Sequence, residues 1–346
     1  MKFLLAQINP VVGDLEGNAK KILCTASKAS STSADLVLTP ELSLWGYPAN
    51  DLLLKKNLIK NQYQILDQLA LDINKKYGNL SITVGIAEII NDSFFPNLYN
   101  SIALLERGEW KIIARKIILP TYEVFDEKRY FRSEEKVSVL TKEINNKTWR
   151  LGFTICEDLW VNKNIEGRGI HKKNPIFDLK KKKVDILVNL SASPYTFKKL
   201  ELRSKVSSFA AQYLQVPLIY VNQIGANDNL IFDGNSFILD KNGSKIKQLK
   251  SFSEDLSSWD IEQTKPQKNK FEKSEMSSIF DALVLGVKDY AQKCGFKTAL
   301  IGLSGGIDSA LVSAIATAAL GSNNIYCVSM PSKWSSSHSK SDAKDL

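Results

Sequence analysis

Four places in this sequence combine reactive side chains with the end of an apolar run. Glu41 follows Pro40 at the end of LVLTP and lies among Leu, Trp and Tyr in ELSLWGYP. A carboxylate in apolar surroundings holds its proton more tightly and can act as a general base near neutrality; a Glu that merely closes a strand stays at the surface. Lys116 falls in the alternation Ile112, Ala114, Lys116, Ile118. In one register it points to solvent. In the other it points inward, which is costly unless a carboxylate pairs with it, and it becomes a fixed cation for a developing oxyanion. Cys156 ends the run LGFTI and precedes Glu157, Asp158 and Trp160. A thiol at the tip of a buried strand is placed like a nucleophile, although most cysteines only pack. Cys24, Cys294 and Cys327 lie inside apolar helix or strand patterns and read as packing residues. The fourth place is Ser304-Gly305-Gly306-Ile307-Asp308-Ser309, between TALIGL and the amphipathic DSALVSAIATAAL. A buried strand that enters a helix through small residues aims backbone N–H groups and the positive helix end at one point, which suits a phosphate. The loop lacks the Gly-Lys-Ser/Thr of a P-loop.

The elements that must position these groups are legible as periodicities. Strands are expected at 3–8, 35–39, 81–88, 101–105, 111–118, 149–155, 184–190, 217–221 and 235–240, and helices near 17–30, 55–77 and 197–215. Many strands with few long helices imply a layered α/β or α+β fold. DKNG at 240–243 reads as a hairpin turn. The stretch 253–274 is polar, without an apolar period, and reads as an exposed linker. After it come an amphipathic helix at 275–293, a strand at 298–303, the small-residue loop, a helix at 308–320 and a strand at 325–330. These are too few to complete a doubly wound sheet, so a second domain is expected to be incomplete, with 335–346 a loop or helix start that has nothing to pack on.

Composition narrows the function. A chain of 346 residues with 44% hydrophobic content implies two globular units. No apolar run reaches the length of a membrane span, and MKFLLAQINP reads as a first strand, not a signal peptide. The 4 cysteines form no CxxC pair, which argues against a disulfide framework or zinc site and fits a reducing cytoplasm. With only His171 and His338, a histidine triad or metal cluster is not expected. The net charge of +9 comes with lysine runs at 55–56, 172–173 and 180–183. Without aromatic interleaving these read as solvated helix faces, so neither a nucleic-acid nor a membrane partner is expected.

Carboxylate, lysine and cysteine, each at a strand end and in that order, resemble the Glu-Lys-Cys arrangement of the nitrilase-like amidase superfamily. LPTYEVFDEKRYF, CEDLW, NLSASPYTFKKLELR and FDGNSF are similar to the glutaminase domain of glutamine-dependent NAD synthetases. GLSGGIDSALVSAIATAALG and MPSKWSSSHSKSDA are similar to the start of their ATP-pyrophosphatase domain. The resemblance implies a four-layer αββα sandwich over 1–252, a linker at 253–274, and the beginning of a Rossmann-like ATP-pyrophosphatase domain over 275–346. It implies that Cys156 attacks glutamine, Glu41 moves the proton, and Lys116 with backbone N–H groups holds the oxyanion. Tyr122, Ser193 and Lys199 fall where the family contacts glutamine; Glu127, with Glu123 as its rival, is the second acid beside the lysine. Gly302, Leu303, Ser304, Gly305, Gly306, Ile307, Asp308 and Ser309 match the ATP loop, Asp308 as a Mg²⁺ ligand or simply as an acidic first-turn residue. Met330, Pro331, Ser332, Ser335, Ser336, Ser339 and Asp342 match a loop near the nucleotide. The implied reaction spends ATP to adenylate deamido-NAD⁺, which ammonia from glutamine converts to NAD⁺, in a cytoplasmic homo-oligomer. GANDNLIFDG departs from the family's Gly-Gly-Gln-Asp-Glu-like run. The family also continues beyond this C-terminus, so incomplete ligase activity is expected. A stand-alone amidase and a non-catalytic truncated copy are the alternatives.

Overall fold

The computed structural model describes residues 1–90, 94–161, 173–263 and 274–346; His171 and Lys172 lie outside them. Its first strand, β1 (Lys2–Gln7), leads into α1 (Leu15–Ser31), whose N-cap Asp14 accepts the Gly17 N–H. β2 (Leu36–Leu38), α2 (Lys56–Tyr77), β3 (Ser81–Ile89), β4 (Leu98–Glu106) and β5 (Glu109–Arg115) follow. Then come β6 (Ser138–Ile144), β7 (Lys147–Ile155), α3 (Pro175–Lys181), β8 (Ile186–Ser191), α4 (Lys199–Leu214) and β9 (Leu218–Asn222). The hairpin β10 (Ile224–Asn227) and β11 (Leu230–Asp233) precedes β12 (Phe237–Leu239), β13 (Lys245–Gln248) and β14 (Asp255–Asp260).

Two six-stranded sheets result, in the orders β14-β1-β2-β3-β4-β5 and β13-β12-β9-β8-β7-β6. Both are mixed: β1, β2 and β3 pair in parallel, as do β7, β8 and β9, with antiparallel strands on their flanks. Phe3, Leu5, Leu38 and Leu104 of one sheet pack with Leu151, Phe153, Val188 and Val221 of the other in one buried cluster. A second cluster joins Leu187, Leu218 and Tyr220 of the second sheet to Ile176, Leu179, Val206 and Ala210 of α3 and α4. This explains the near-continuous apolar runs of β2, β8 and β9: strands covered on both faces have no polar side. The expected four-layer αββα sandwich is therefore present.

The structure departs from the sequence reading at the polar strands. Residues 253–274 are not simply a linker, because β14 pairs antiparallel with β1, Lys2 opposite Asp260. Only Trp259 of β14 is buried, stacked on Phe3 with centroids 6.0 Å apart. An edge strand needs few apolar contacts, so no period marks it. β6, also at an edge and half exposed, was invisible for the same reason. The expected turn at DKNG is a tight one: Asp240 Oδ1 accepts the N–H groups of Asn242 and Ser244, and Gly243 takes φ +78°. The strand expected to reach 118 ends at Arg115, which leaves Lys116 just beyond it.

The chain divides into two compact units, Met1–Ile224 with Phe232–Phe271 and Gly225–Ile231 with Glu272–Leu346. The hairpin tip thus groups with the second unit, not with the contiguous first domain expected from sequence. The second unit holds α5 (Glu275–Cys294), β15 (Ala299–Gly302), α6 (Ile307–Leu320), β16 (Ile325–Val328) and α7 (Ser337–Asp345). β15 and β16 pair in parallel, so the chain crosses over through α6. Of the two readings of the C-terminal stretch, loop or helix start, the helix is the one found. Ser336 caps α7 by accepting the Ser339 N–H, and the backbone of Ser339 lies against Gly305.

Candidate active site

Glu41 sits on a turn after β2 that approaches β3 closely. A Cβ on Gly85 of β3 would stand 2.8 Å from the Pro40 carbonyl oxygen and closer still to the Leu42 nitrogen, so only glycine lets the turn seat there. The Glu41 side chain is 1% exposed. Its Oε1 accepts from Lys116 Nζ at 2.7 Å and from Asn100 Nδ2 at 2.7 Å. Its Oε2 accepts the Ala192 N–H at 2.9 Å, from the end of β8 in the other sheet.

Lys116 is buried and bridges two carboxylates, Glu41 and Glu127, each at 2.7 Å. Two of its three N–H donors are thereby occupied, and the third has no partner among the described residues. Of the two rival acids, Glu127 meets the lysine; Glu123 is exposed. Glu127 Oε1 also accepts from the Tyr47 hydroxyl at 2.9 Å, while Oε2 has no hydrogen-bond partner among the described residues. Burial pushes Glu127 up to about 7; Lys116 opposes the rise and the nearby Glu41 charge adds to it. The two carboxylates pull the other way on Lys116, holding its ammonium well above the ordinary range despite burial.

Cys156 follows β7 with φ +45°, a conformation that strains a non-glycine residue and turns the chain sharply. A short 3₁₀ turn, Cys156–Leu159, continues from it. The thiol is 6% exposed, and burial, then the Glu41 charge, push its pKa upward. Asp158 ties this turn to the lysine segment. Its Oδ2 accepts the Ile155 N–H at 3.0 Å, and its Oδ1 accepts those of Ile117 and Ile118 at 3.1 and 2.7 Å. Asp158 was missed in the sequence; a second acid inside the apolar CEDLW string was the available signal.

The Tyr122 hydroxyl donates to Glu157 Oε2 at 2.8 Å, which places it next to the thiol turn. Lys199 opens α4 with its Nζ 5.1 Å from the Trp160 ring centroid. Ser193 is buried in a polar network. Its N–H donates to Asn222 Oδ1, and its hydroxyl and carbonyl oxygens accept from Arg203. Arg203, fully buried, also donates to the Pro194 carbonyl and pairs with Asp233 at 2.8 Å. Arg203 sits at the inward spacing of Val206, Ala210 and Leu214, so a buried cation was readable there.

In the second unit the Ser304 and Ser309 hydroxyls lie 3.0 Å apart, and Ser309 Oγ also accepts the Ser304 N–H. Ser304 Oγ accepts the Gly306 N–H at 3.2 Å. Gly305 has φ +82°, and Gly306 caps α6. Gly302 ends β15, Leu303 is buried, and Ile307 and Asp308 are exposed in the first turn of α6. The structure therefore places the whole loop at a helix N-terminus, as expected from its small residues. Among the described residues no three His, Cys, Asp or Glu side chains form a metal cluster, and no helix is long and apolar enough to cross a membrane.

The profile of the carbon-nitrogen hydrolase family matches residues 5–268, and that of NAD synthase matches 279–346. The glutamine-dependent NAD(+) synthetase of Synechocystis sp. is 44% identical over 347 residues, covering 99% of this chain and 62% of that protein. The structure of the glutamine-dependent NAD+ synthetase from Acinetobacter baumannii in complex with adenosine diphosphate superposes with a TM-score of 0.87 at 35% identity, over 99% of this chain and 62% of that one. An amidase of the nitrilase superfamily from Nesterenkonia AN1 shares the fold, with a TM-score of 0.60 at 18% identity over 75% of this chain and 89% of its own. The chain thus spans about three fifths of the length of the curated relatives it matches.

Proposed function

This chain belongs to the carbon-nitrogen hydrolase family, and from that premise we propose that its first unit releases ammonia from glutamine and that the second uses ATP to trap that ammonia as the amide of NAD⁺. The observation that carries the reading is Lys116 held between Glu41 and Glu127 beside a buried thiol on a strained turn.

Cys156 Sγ attacks the carboxamide carbon of glutamine as its proton passes to Glu41. The third N–H of Lys116, with backbone N–H groups at the thiol turn, stabilises the oxygen that gains the negative charge. Glu41 returns the proton to the leaving nitrogen, ammonia departs, and a thioester remains. Glu41 then removes a proton from water, which attacks the thioester and releases glutamate and the thiol. The Glu157 carboxylate, steadied by Tyr122, suits the α-ammonium of glutamine, and Lys199 suits its α-carboxylate.

The Ser304–Ser309 loop supports ATP binding, because its N–H groups and hydroxyls converge at the N-terminus of α6. Asp308, exposed in the first turn of α6, would offer a carboxylate oxygen to a Mg²⁺, which would neutralise phosphate charge there. ATP adenylates the nicotinate carboxylate of deamido-NAD⁺, and ammonia displaces AMP. Met330, Ser332, Ser335 and Ser339 border the same nucleotide. We place the protein in the cytoplasm as a homo-oligomer, in keeping with its free cysteines and its family.

The test is ammonia and glutamate release from glutamine by this chain and by Cys156→Ala. Equal release of both products by the chain, abolished in the variant, is expected. Release that persists in the variant would overturn the assignment of Cys156. Cys156-dependent hydrolysis of short aliphatic amides in preference to glutamine would make the first unit a general amidase.

A further inference from the structure

We propose that Asn100 is a positioning residue that aims the Glu41 carboxylate at the Cys156 thiol; this rests on the roles of Glu41 and Cys156 proposed above. Asn100 lies on β4 opposite Ala87 of β3 and is 1% exposed. It makes one contact to the base itself and one to the backbone that carries the lysine. Its side-chain N–H donates to Glu41 Oε1 at 2.7 Å, and its backbone carbonyl accepts the Lys116 N–H at 2.8 Å. One residue therefore holds the base directly and anchors the backbone from which the shared cation extends.

The amide cannot serve equally well the other way round. A rotated Asn100 would present its carbonyl oxygen to a carboxylate that already faces it at hydrogen-bond distance, oxygen against oxygen. As oriented, its Oδ1 is buried with no hydrogen-bond partner among the described residues.

Geometry explains why an extra donor is needed. Lys116 is claimed by two carboxylates, so it cannot by itself choose one orientation of Glu41. Asn100 holds Oε1 from β4, and the Ala192 N–H holds Oε2 from the opposite sheet. Together they fix the plane of the carboxylate. Glu41 is thereby held near a buried thiol whose backbone is fixed by its own turn, close enough for its charge to act on Cys156.

Asn100→Ala and the near-isosteric Asn100→Asp, which sets a like charge against Glu41, test this in the full chain. Both are compared with wild type for glutamine hydrolysis and for alkylation of Cys156 by iodoacetamide, read by peptide mass. The exposed Cys24, Cys294 and Cys327 serve as internal controls. Losing one charge-assisted hydrogen bond to the base lowers kcat roughly 10- to 100-fold, with KM within about twofold. Alkylation of Cys156 slows by a similar factor while the three controls are unchanged. If wild type hydrolyses no glutamine, the proposed function fails, and the alkylation rates still judge Asn100. If Asn100→Ala does not fold, Asn100→Asp, which keeps the volume, decides alone. Unchanged kcat and Cys156 alkylation, or a loss confined to KM, would overturn the proposal.

Discussion

Glu127 makes folding stability depend on pH in a way that one substitution can isolate. Its carboxyl is buried and pushed up to about 7 from an ordinary 4.5. Between those values the folded chain holds a proton that the unfolded chain has given up. Stability contributed by this group is therefore full below about pH 4.5 and falls as pH rises to about 7. At roughly 1.4 kcal/mol per pH unit the loss amounts to about 3 kcal/mol. Glu127→Gln removes this titration and keeps the oxygen that accepts from Lys116 and Tyr47. Its new NH₂ replaces an Oε2 that has no hydrogen-bond partner among the described residues, and burying those donors unpaired costs about 1–3 kcal/mol. The variant should therefore be less stable than wild type at pH 5. Between pH 5 and pH 8 it should regain about 2.5 kcal/mol relative to wild type, drawing level or passing it. Urea unfolding of both proteins by tryptophan fluorescence at pH 5, 6, 7 and 8 measures the difference, in which titrations that do not feel the Glu127 charge cancel. A difference that stays flat, or one that widens against the variant as pH rises, would refute the reasoning.

Gly85→Ala should drive the Glu41 turn off β3, because its Cβ would stand 2.8 Å from the Pro40 oxygen. Glutamine hydrolysis should fall at least about tenfold and stability by about 1–3 kcal/mol, read by product release and thermal unfolding. Arg203→Met strands Asp233, 1% exposed, without its cation. A loss of about 3–5 kcal/mol in urea unfolding is expected, and a loss under 1 kcal/mol would mean that the pair is solvated. Gly305→Ala meets both φ +82° and the Ser339 carbonyl carbon at 2.7 Å. It should weaken ATP binding, measured by calorimetry, while leaving ammonia release from glutamine unchanged.

What was legible in the sequence follows from how each group is held. β2, β8 and β9 are buried on both faces and announce themselves as apolar runs. α1 and α2 were readable because each keeps one buried face at helical spacing. Glu41 and Cys156 stand where such runs stop, which is why a carboxylate and a thiol there attract attention. Lys116 was ambiguous because the Ile112–Ile118 alternation is continuous in one dimension, yet β5 ends at Arg115. What settles its direction is a pair of carboxylates 75 and 11 residues away in sequence. Asn100, Asp158 and the Ala192 N–H act across similar distances, 59, 40 and 151 residues from their partners. No local period encodes contacts of that range. Their only trace is a polar residue inside an apolar string, and that trace names no partner. β14 shows the converse: a strand held almost wholly by backbone pairing needs one tryptophan and leaves no pattern.

The ionisation of the site determines how its parts must work. Burial keeps Cys156 as a thiol, so no resting thiolate waits for substrate. In the proposed mechanism the nucleophile therefore forms only as its proton leaves, and the acceptor must already be in line when the substrate arrives. A mobile carboxylate would spend most of its time misaligned. Three donors on Glu41, from β4, from the Lys116 segment and from the end of β8, remove that freedom. In the proposed mechanism the same lysine also stabilises the oxyanion, and a second carboxylate on it works against this. Glu127 resolves the conflict by titrating near neutrality. Protonated, it leaves more of the Lys116 charge for the reacting oxygen; ionised, it keeps the ammonium charged in a buried site. Anchoring and charge are thus divided between two acids, which is why one lysine needs both.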